Sequence, residues 1–211
     1  LKACFELVLF SFLMSYFSLI YIGIFSLIIC VLSFFNIIYS YYFNLYLNVD
    51  SYVYSLLASL IFGLLFLFKR KDSYKITVYH KILTVILGYF FLPLILSIPF
   101  FFSIYNISFL DSYFISVSGF TSTGFSIFDN IKHLDQSLIL WRSSTQWIGG
   151  LYFLFSIILL IDIFDNNLKK SLTNFIAFDK SETLKQSFKI LILYTILTFF
   201  IFISLKLFDF R

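Results

Sequence analysis

Charge is what this chain has least of: Asp, Glu, Lys and Arg together make up 12% of its 211 residues, against 61% hydrophobic and 23% aromatic residues. So few charges cannot solvate the surface of a globular domain, which excludes a water-soluble fold around one core and points to an integral membrane protein. Cysteine is nearly absent too. Cys4 and Cys30 both lie in apolar sequence, form no metal-ligand spacing and read as small membrane-embedded hydrophobes. The two histidines, His80 and His133, have no second ligand at helical spacing, so neither suggests a metal site. No phosphate-cradling glycine loop, no nucleophile beside a base and no pair of carboxylates at matching depth in the apolar runs is present. The chain is therefore expected to be no enzyme, to need no cofactor and to bind no nucleic acid.

The charge that remains is clustered. Lys69, Arg70, Lys71, Lys75 and Lys81 lie in one connection, and Lys169, Lys170, Lys180, Lys185 and Lys189 in another. The positive-inside rule puts both on the cytoplasmic side. Between and around them the hydropathy predicts spans at residues 18–43, 51–68, 82–104, 138–161 and 188–208, each long enough for a hydrocarbon core of roughly 30 Å. Residues 5–17 read either as an interfacial helix or as the remnant of a truncated span. Pro93 and Pro99, the only prolines, fall in the outer half of the third span, where a proline can kink a helix and free a carbonyl. The chain opens on Leu1 and stops at Arg211 just after a span, so it is expected to be a fragment of a longer protein. No charged segment with a cleavage site precedes the first apolar run, and no signal peptide is assigned.

Residues 111–130, DSYFISVSGFTSTGFSIFDN, are the most informative part. An apolar run of about ten residues cannot cross the bilayer, so between two spans it reads as a re-entrant segment. Asp111 is its plausible N-cap, the helix runs to about Gly119, and the turn 121–126 follows. Irregular backbone at membrane depth is tolerated where it lines a water-filled cavity. There, successive carbonyls of Thr121, Ser122, Thr123, Gly124 and Phe125, helped by the hydroxyls of Thr121, Ser122, Thr123 and Ser126, could replace the water around a small cation. Gly124 suits such a turn because it reaches positive φ without steric cost, and the C-terminal end of the preceding helix favours a cation.

Arg142, in Leu-Trp-Arg at the start of a span, has two readings. It either braces the turn through its carbonyls or snorkels to the interface as an anchor beside Trp141 and Trp147. Gly149 and Gly150 are read as permitting close helix packing. Asp162 and Asp165 are read as interfacial and solvated.

The order Asp111-Ser-Tyr-Phe, Ser118-Gly119-Phe120-Thr121-Ser122-Thr123-Gly124, Leu140-Trp141-Arg142-Ser143 and Gln146-Trp147-Ile148-Gly149-Gly150 resembles the Trk/Ktr/HKT superfamily of cation transporters. The bacterial TrkH-type membrane subunit is the nearest likeness, over residues 69 to about 208. The resemblance implies an all-α membrane protein: two leading transmembrane helices, then helix, pore-loop, helix repeats resembling a potassium channel. On this chain it divides into leading helices at 1–68, a basic cytoplasmic loop at 69–81, a first repeat at 82–161, a connection at 162–187 and the first helix of a second repeat at 188–211.

It further implies potassium uptake across the bacterial inner membrane, with Thr121 to Phe125 as one quarter of the selectivity filter and Asp111, Gly119 and Arg142 supporting the loop. Gly124 matches the filter glycine of the first repeat. A serine there in plant members accompanies sodium preference, so glycine argues for potassium. A cytoplasmic nucleotide-binding regulatory subunit, a homodimer and membrane lipid are the implied partners. Symport and channel-like passage both stand as modes. The alternative from a different class is a non-conducting truncated module that acts in assembly or anchors a regulator.

Overall fold

The computed structural model describes residues 19–68, 78–128, 134–164 and 180–208. The opening segment 1–17, the basic cluster 69–75, Lys132 and His133, and Asp165, Lys169 and Lys170 of the connection lie outside the described residues. Among the described residues the structure is helical, with no strand. The helices are α1 (Leu19–Tyr42), α2 (Val49–Phe68), α3 (Val78–Ser103), α4 (Phe109–Phe120), α5 (Gln136–Phe164) and α6 (Lys180–Leu207), with a 3₁₀ turn at Tyr46–Asn48 before α2. By internal contacts the chain forms two compact units, Leu1–Tyr152 and Phe153–Arg211.

Among the described residues four stretches are long and apolar enough to cross a membrane: Ile20–Tyr42, Tyr46–Phe68, Lys81–Ser103 and Lys189–Leu207. A helix of such length rises about 30 Å, the thickness of a hydrocarbon core. The expected span at 138–161 is helical throughout, as the greater part of α5. Two hydroxyls in the polar first half of α5 bond back onto the helix: Ser144 Oγ donates to Leu140 O at 2.9 Å and Thr145 Oγ1 to Arg142 O at 2.7 Å. Two helix starts differ from expectation. Lys81 lies inside the first turns of α3, and α6 begins at Lys180 rather than 188, because its polar opening, Lys-Ser-Glu-Thr-Leu-Lys-Gln, is made largely of good helix formers.

In the first unit α1 and α2 pair antiparallel through small residues. Ser26 Oγ donates to Ser59 O at 2.7 Å and Ser33 and Ser55 share a hydroxyl bond of 3.2 Å. Small side chains and hydroxyl bonds are what hold helices together where lipid removes the hydrophobic difference between inside and outside.

The spine of the unit is α3, which stays helical through Pro93 and Pro99. Each proline deletes one ladder N–H. Next to the carbonyls that lose their partner, those of Tyr89 and Ile95, the carbonyls of Phe90 and Leu96 accept from outside the helix: Tyr113 Oη of α4 donates to Phe90 O at 3.2 Å, and Trp141 Nε1 of α5 to Leu96 O at 3.1 Å. Tyr152 Oη donates to Thr84 O at 3.0 Å and to Val85 O at 3.2 Å. Four rings close the core beside these bonds. Tyr152 lies 4.9 Å from Phe25, 5.1 Å from Tyr89 and 5.4 Å from Phe120 between centroids, so the first helix, the spine, α4 and α5 meet at one cluster.

Candidate functional site

The short helix α4 has 12 residues, which is about 18 Å of rise and too little to cross a bilayer. It opens at Phe109 and its cap is Ser108, not Asp111. Ser108 is extended, its Oγ accepts the Asp111 N–H at 3.1 Å, and its hydroxyl donates to Asp111 Oδ2 at 2.7 Å. Asp111 sits in the first turn, where its carboxylate accepts the Ser108 hydroxyl and its charge suits the helix dipole. The pattern Ser108-x-x-Asp111 was present in the sequence. The cap lies three residues before the expected Asp111 because the apolar pair Phe109 and Leu110 already forms the first helical turn.

At its other end α4 stops in a Schellman motif. Ser122 N–H donates to Gly119 O at 3.0 Å and Thr123 N–H to Ser118 O at 3.1 Å, with Ser122 in the left-handed region at φ 57°. Two residues later Gly124 is left-handed again at φ 78°, as its place in the turn led one to expect.

Ser118 is the hub of the arrangement. Its carbonyl also accepts the Gly124 N–H at 3.3 Å and Thr123 Oγ1 at 3.2 Å, while its own hydroxyl donates to Phe125 O at 2.8 Å. The Thr121 hydroxyl donates to Val117 O at 2.8 Å. The threonine hydroxyls thus bind the helix end, and their role in the turn is to shape it.

Arg142 reaches the turn from α5. It is only 8% exposed, and Nη2 donates to Gly124 O at 3.0 Å. Among the described residues Nη1 is buried without a partner. The interfacial-anchor reading does not hold, since Trp141 beside it is fully buried and spends its N–H on α3. The two glycines of the loop region allow contact. A side chain on Gly149 would run into the main chain of Phe120, and one on Gly119 into Thr145 Oγ1, so α5 lies directly against the end of α4.

The five predicted ligand residues therefore separate into two groups. The carbonyls of Gly124 and Phe125 already accept from Arg142 and Ser118. The carbonyls of Thr121, Ser122 and Thr123 accept no hydrogen bond among the described residues, and all three residues are exposed. A row of unpaired carbonyls is acceptor chemistry alone, suited to a cation and to nothing anionic. Single-sequence reasoning had no signal for Ser118 as hub or Ser122 as the left-handed residue, because both depend on where the helix ends.

Comparison with known proteins agrees with this geometry in kind. An uncharacterised cation transporter of Methanocaldococcus jannaschii is 30% identical over 131 residues, 61% of this chain and 25% of that protein. The Trk system potassium uptake protein TrkI of Halomonas elongata is 40% identical over 60 residues, 28% of this chain and 11% of that protein. The chain thus spans a quarter or less of the length of these curated relatives. No solved structure matches. The family model described as TrkH, cation transport protein, matches residues 50–208, from the foot of α2 to the end of α6, and with it the chain belongs to the TrkH family of multi-pass membrane cation transport proteins.

Proposed function

We propose that this chain takes part in potassium uptake across a bacterial cytoplasmic membrane, and that α4 and the turn after it form a re-entrant pore loop supplying one quarter of a selectivity filter. The observation that carries the reading is the set of three adjacent unpaired carbonyls, Thr121 to Thr123, at the end of a helix too short to span. Family membership supports cation transport, and the potassium uptake named for the Halomonas relative supports the choice of ion.

The ion's position follows from charge. The Arg142 guanidinium occupies the Gly124 carbonyl and repels a cation there, so the ion is held on the side of Thr121 to Thr123. The C-terminal end of α4 adds a favourable partial negative charge. Because the ligands are carbonyls, selection works by cavity size and field strength and changes little with pH near neutrality. One turn cannot surround an ion. The complete filter needs further turns of the same kind, and the homodimer and cytoplasmic nucleotide-binding subunit implied by the family resemblance belong to that larger assembly.

The test is Gly124→Ser in the assembled transporter that contains this chain, with potassium and sodium uptake measured side by side. Gly124 is left-handed and a Cβ there meets nothing within 4 Å, so the substitution strains the backbone without a clash. The potassium-to-sodium ratio should fall. An unchanged ratio would remove Gly124 from the selective turn.

A further inference from the structure

Among the described residues the leading helices make no hydrogen bond to the turn itself, yet a series of hydrogen bonds and one ring contact links them to the helix that holds it. Asn48, 5% exposed at the end of the 3₁₀ turn, donates through Nδ2 to Asp135 Oδ2 at 2.7 Å. Ser137 Oγ donates to the same oxygen at 2.9 Å, and Tyr52 Oη of α2 donates to Ser137 Oγ at 3.1 Å. Asp135 is the residue on which α5 starts, since its carbonyl accepts the N–H groups of Leu138 and Ile139. One turn further along, Trp141 lies 5.8 Å from the Tyr52 ring, and Arg142 follows it and holds Gly124 O. Asn48 is itself fixed, because Ser51 Oγ donates to its carbonyl at 2.6 Å and shares a 2.7 Å bond with Ser103 of α3.

We propose that Asn48 and Tyr52 are positioning residues for ion selection. They set the start and the rotation of α5, α5 sets the reach of Arg142, and Arg142 sets the direction of the Gly124 carbonyl. A hydrogen bond to a carboxylate is strong for its size, and although Asp135 is half-buried, its partners Asn48 and Ser137, with Tyr52 behind them, are buried and limit the access of water to it. Arg142 has a long, flexible side chain with one of its nitrogens unpartnered, so its grip on a single carbonyl depends on where its helix is held. The inference rests on the reading of the turn as a selective element.

The experiment measures the potassium-to-sodium uptake ratio of the assembled transporter in vesicles, a quantity independent of how much protein inserts. Asn48→Ala should lower the ratio about fivefold to tenfold, and Tyr52→Phe, which keeps the ring on Trp141 but loses the hydroxyl bond, about twofold to threefold. Asn48→Asp alone and Asp135→Asn alone should each lower it. Combined, they exchange donor and acceptor, and the ratio should return to near the wild-type value. If Gly124→Ser shifts the ratio but none of these variants does, or if the exchange fails to restore it, the positioning role is overturned and the filter reading stands. If Gly124→Ser also leaves the ratio unchanged, Gly124 is no part of the selective turn, and the inference, which acts through its carbonyl, falls with it.

Discussion

Two helices in this protein end in the same hydrogen-bond pattern and then diverge. At the end of α1, Leu45 N–H donates to Ser40 O at 2.8 Å and Asn44 N–H to Tyr41 O at 3.3 Å, with Asn44 left-handed at φ 57°. At the end of α4, Thr123 and Ser122 do the same onto Ser118 and Gly119, with Ser122 at φ 57°. Asn is a favoured residue for that conformation, and the chain after Asn44 passes at once into the 3₁₀ turn and α2. Ser is not favoured there. The chain after Ser122 stays irregular to Phe128, becomes left-handed a second time at Gly124 and leaves three carbonyls free of any partner among the described residues. The first end reverses the chain at little cost. The second holds an unfavourable backbone in place with side chains from α4 and α5, which is how strain is retained where a particular array of backbone groups is needed.

Substitutions can test that contrast. The largest effect should come from Phe120→Ala. This residue precedes the second end, is 1% exposed and packs on Tyr89 and Tyr152, so its removal opens a cavity and should cost about 3–5 kcal/mol. Thermal unfolding in detergent reads the loss, and a shift of midpoint as small as that of a surface change would mean the ring cluster does not support the turn. Ser122→Gly should act in the opposite direction. It relieves the left-handed serine but loosens the unfolded chain, for a net gain of about 0.5–1 kcal/mol in the same assay. Destabilisation would show that the serine side chain is itself required. Asn44→Gly should do least, within about 0.5 kcal/mol, because Asn already tolerates the conformation and its bond to Tyr46 Oη is exposed. A response as large as that of Ser122→Gly would erase the distinction between the two ends.

Much of this was legible in the sequence, and the parts that were not share a cause. The apolar runs placed α1, α2, α3 and the end of α6 to within a few residues, because burial in lipid imposes one long, simple signal, whereas the polar first two turns of α6 carry no such signal. The short helix, the left-handed glycine and the involvement of Arg142 followed from residue chemistry in a constrained setting. What could not be read were pairings between distant segments. The sequence alone left Arg142 with two equal readings, and its burial, its bond to Gly124 O and the bond of Trp141 to Leu96 O separate them. Asn48 and Asp135 each lie in a short polar stretch between apolar runs, where nothing local marks either as a partner of the other. Their 2.7 Å bond joins residues with 86 others between them in the chain. Such a contact has no local periodicity to announce it.

The contact between Gly149 and the main chain of Phe120 bears on how such a protein can change over time. Where two helices meet through side chains, every substitution alters their spacing, but here the gap is set by the thickness of a bare peptide backbone. That acts as a ruler whose length the genetic code cannot edit except by replacing the glycine. The large apolar residues on the exposed faces can then drift among Phe, Ile, Leu and Tyr while the turn keeps its place.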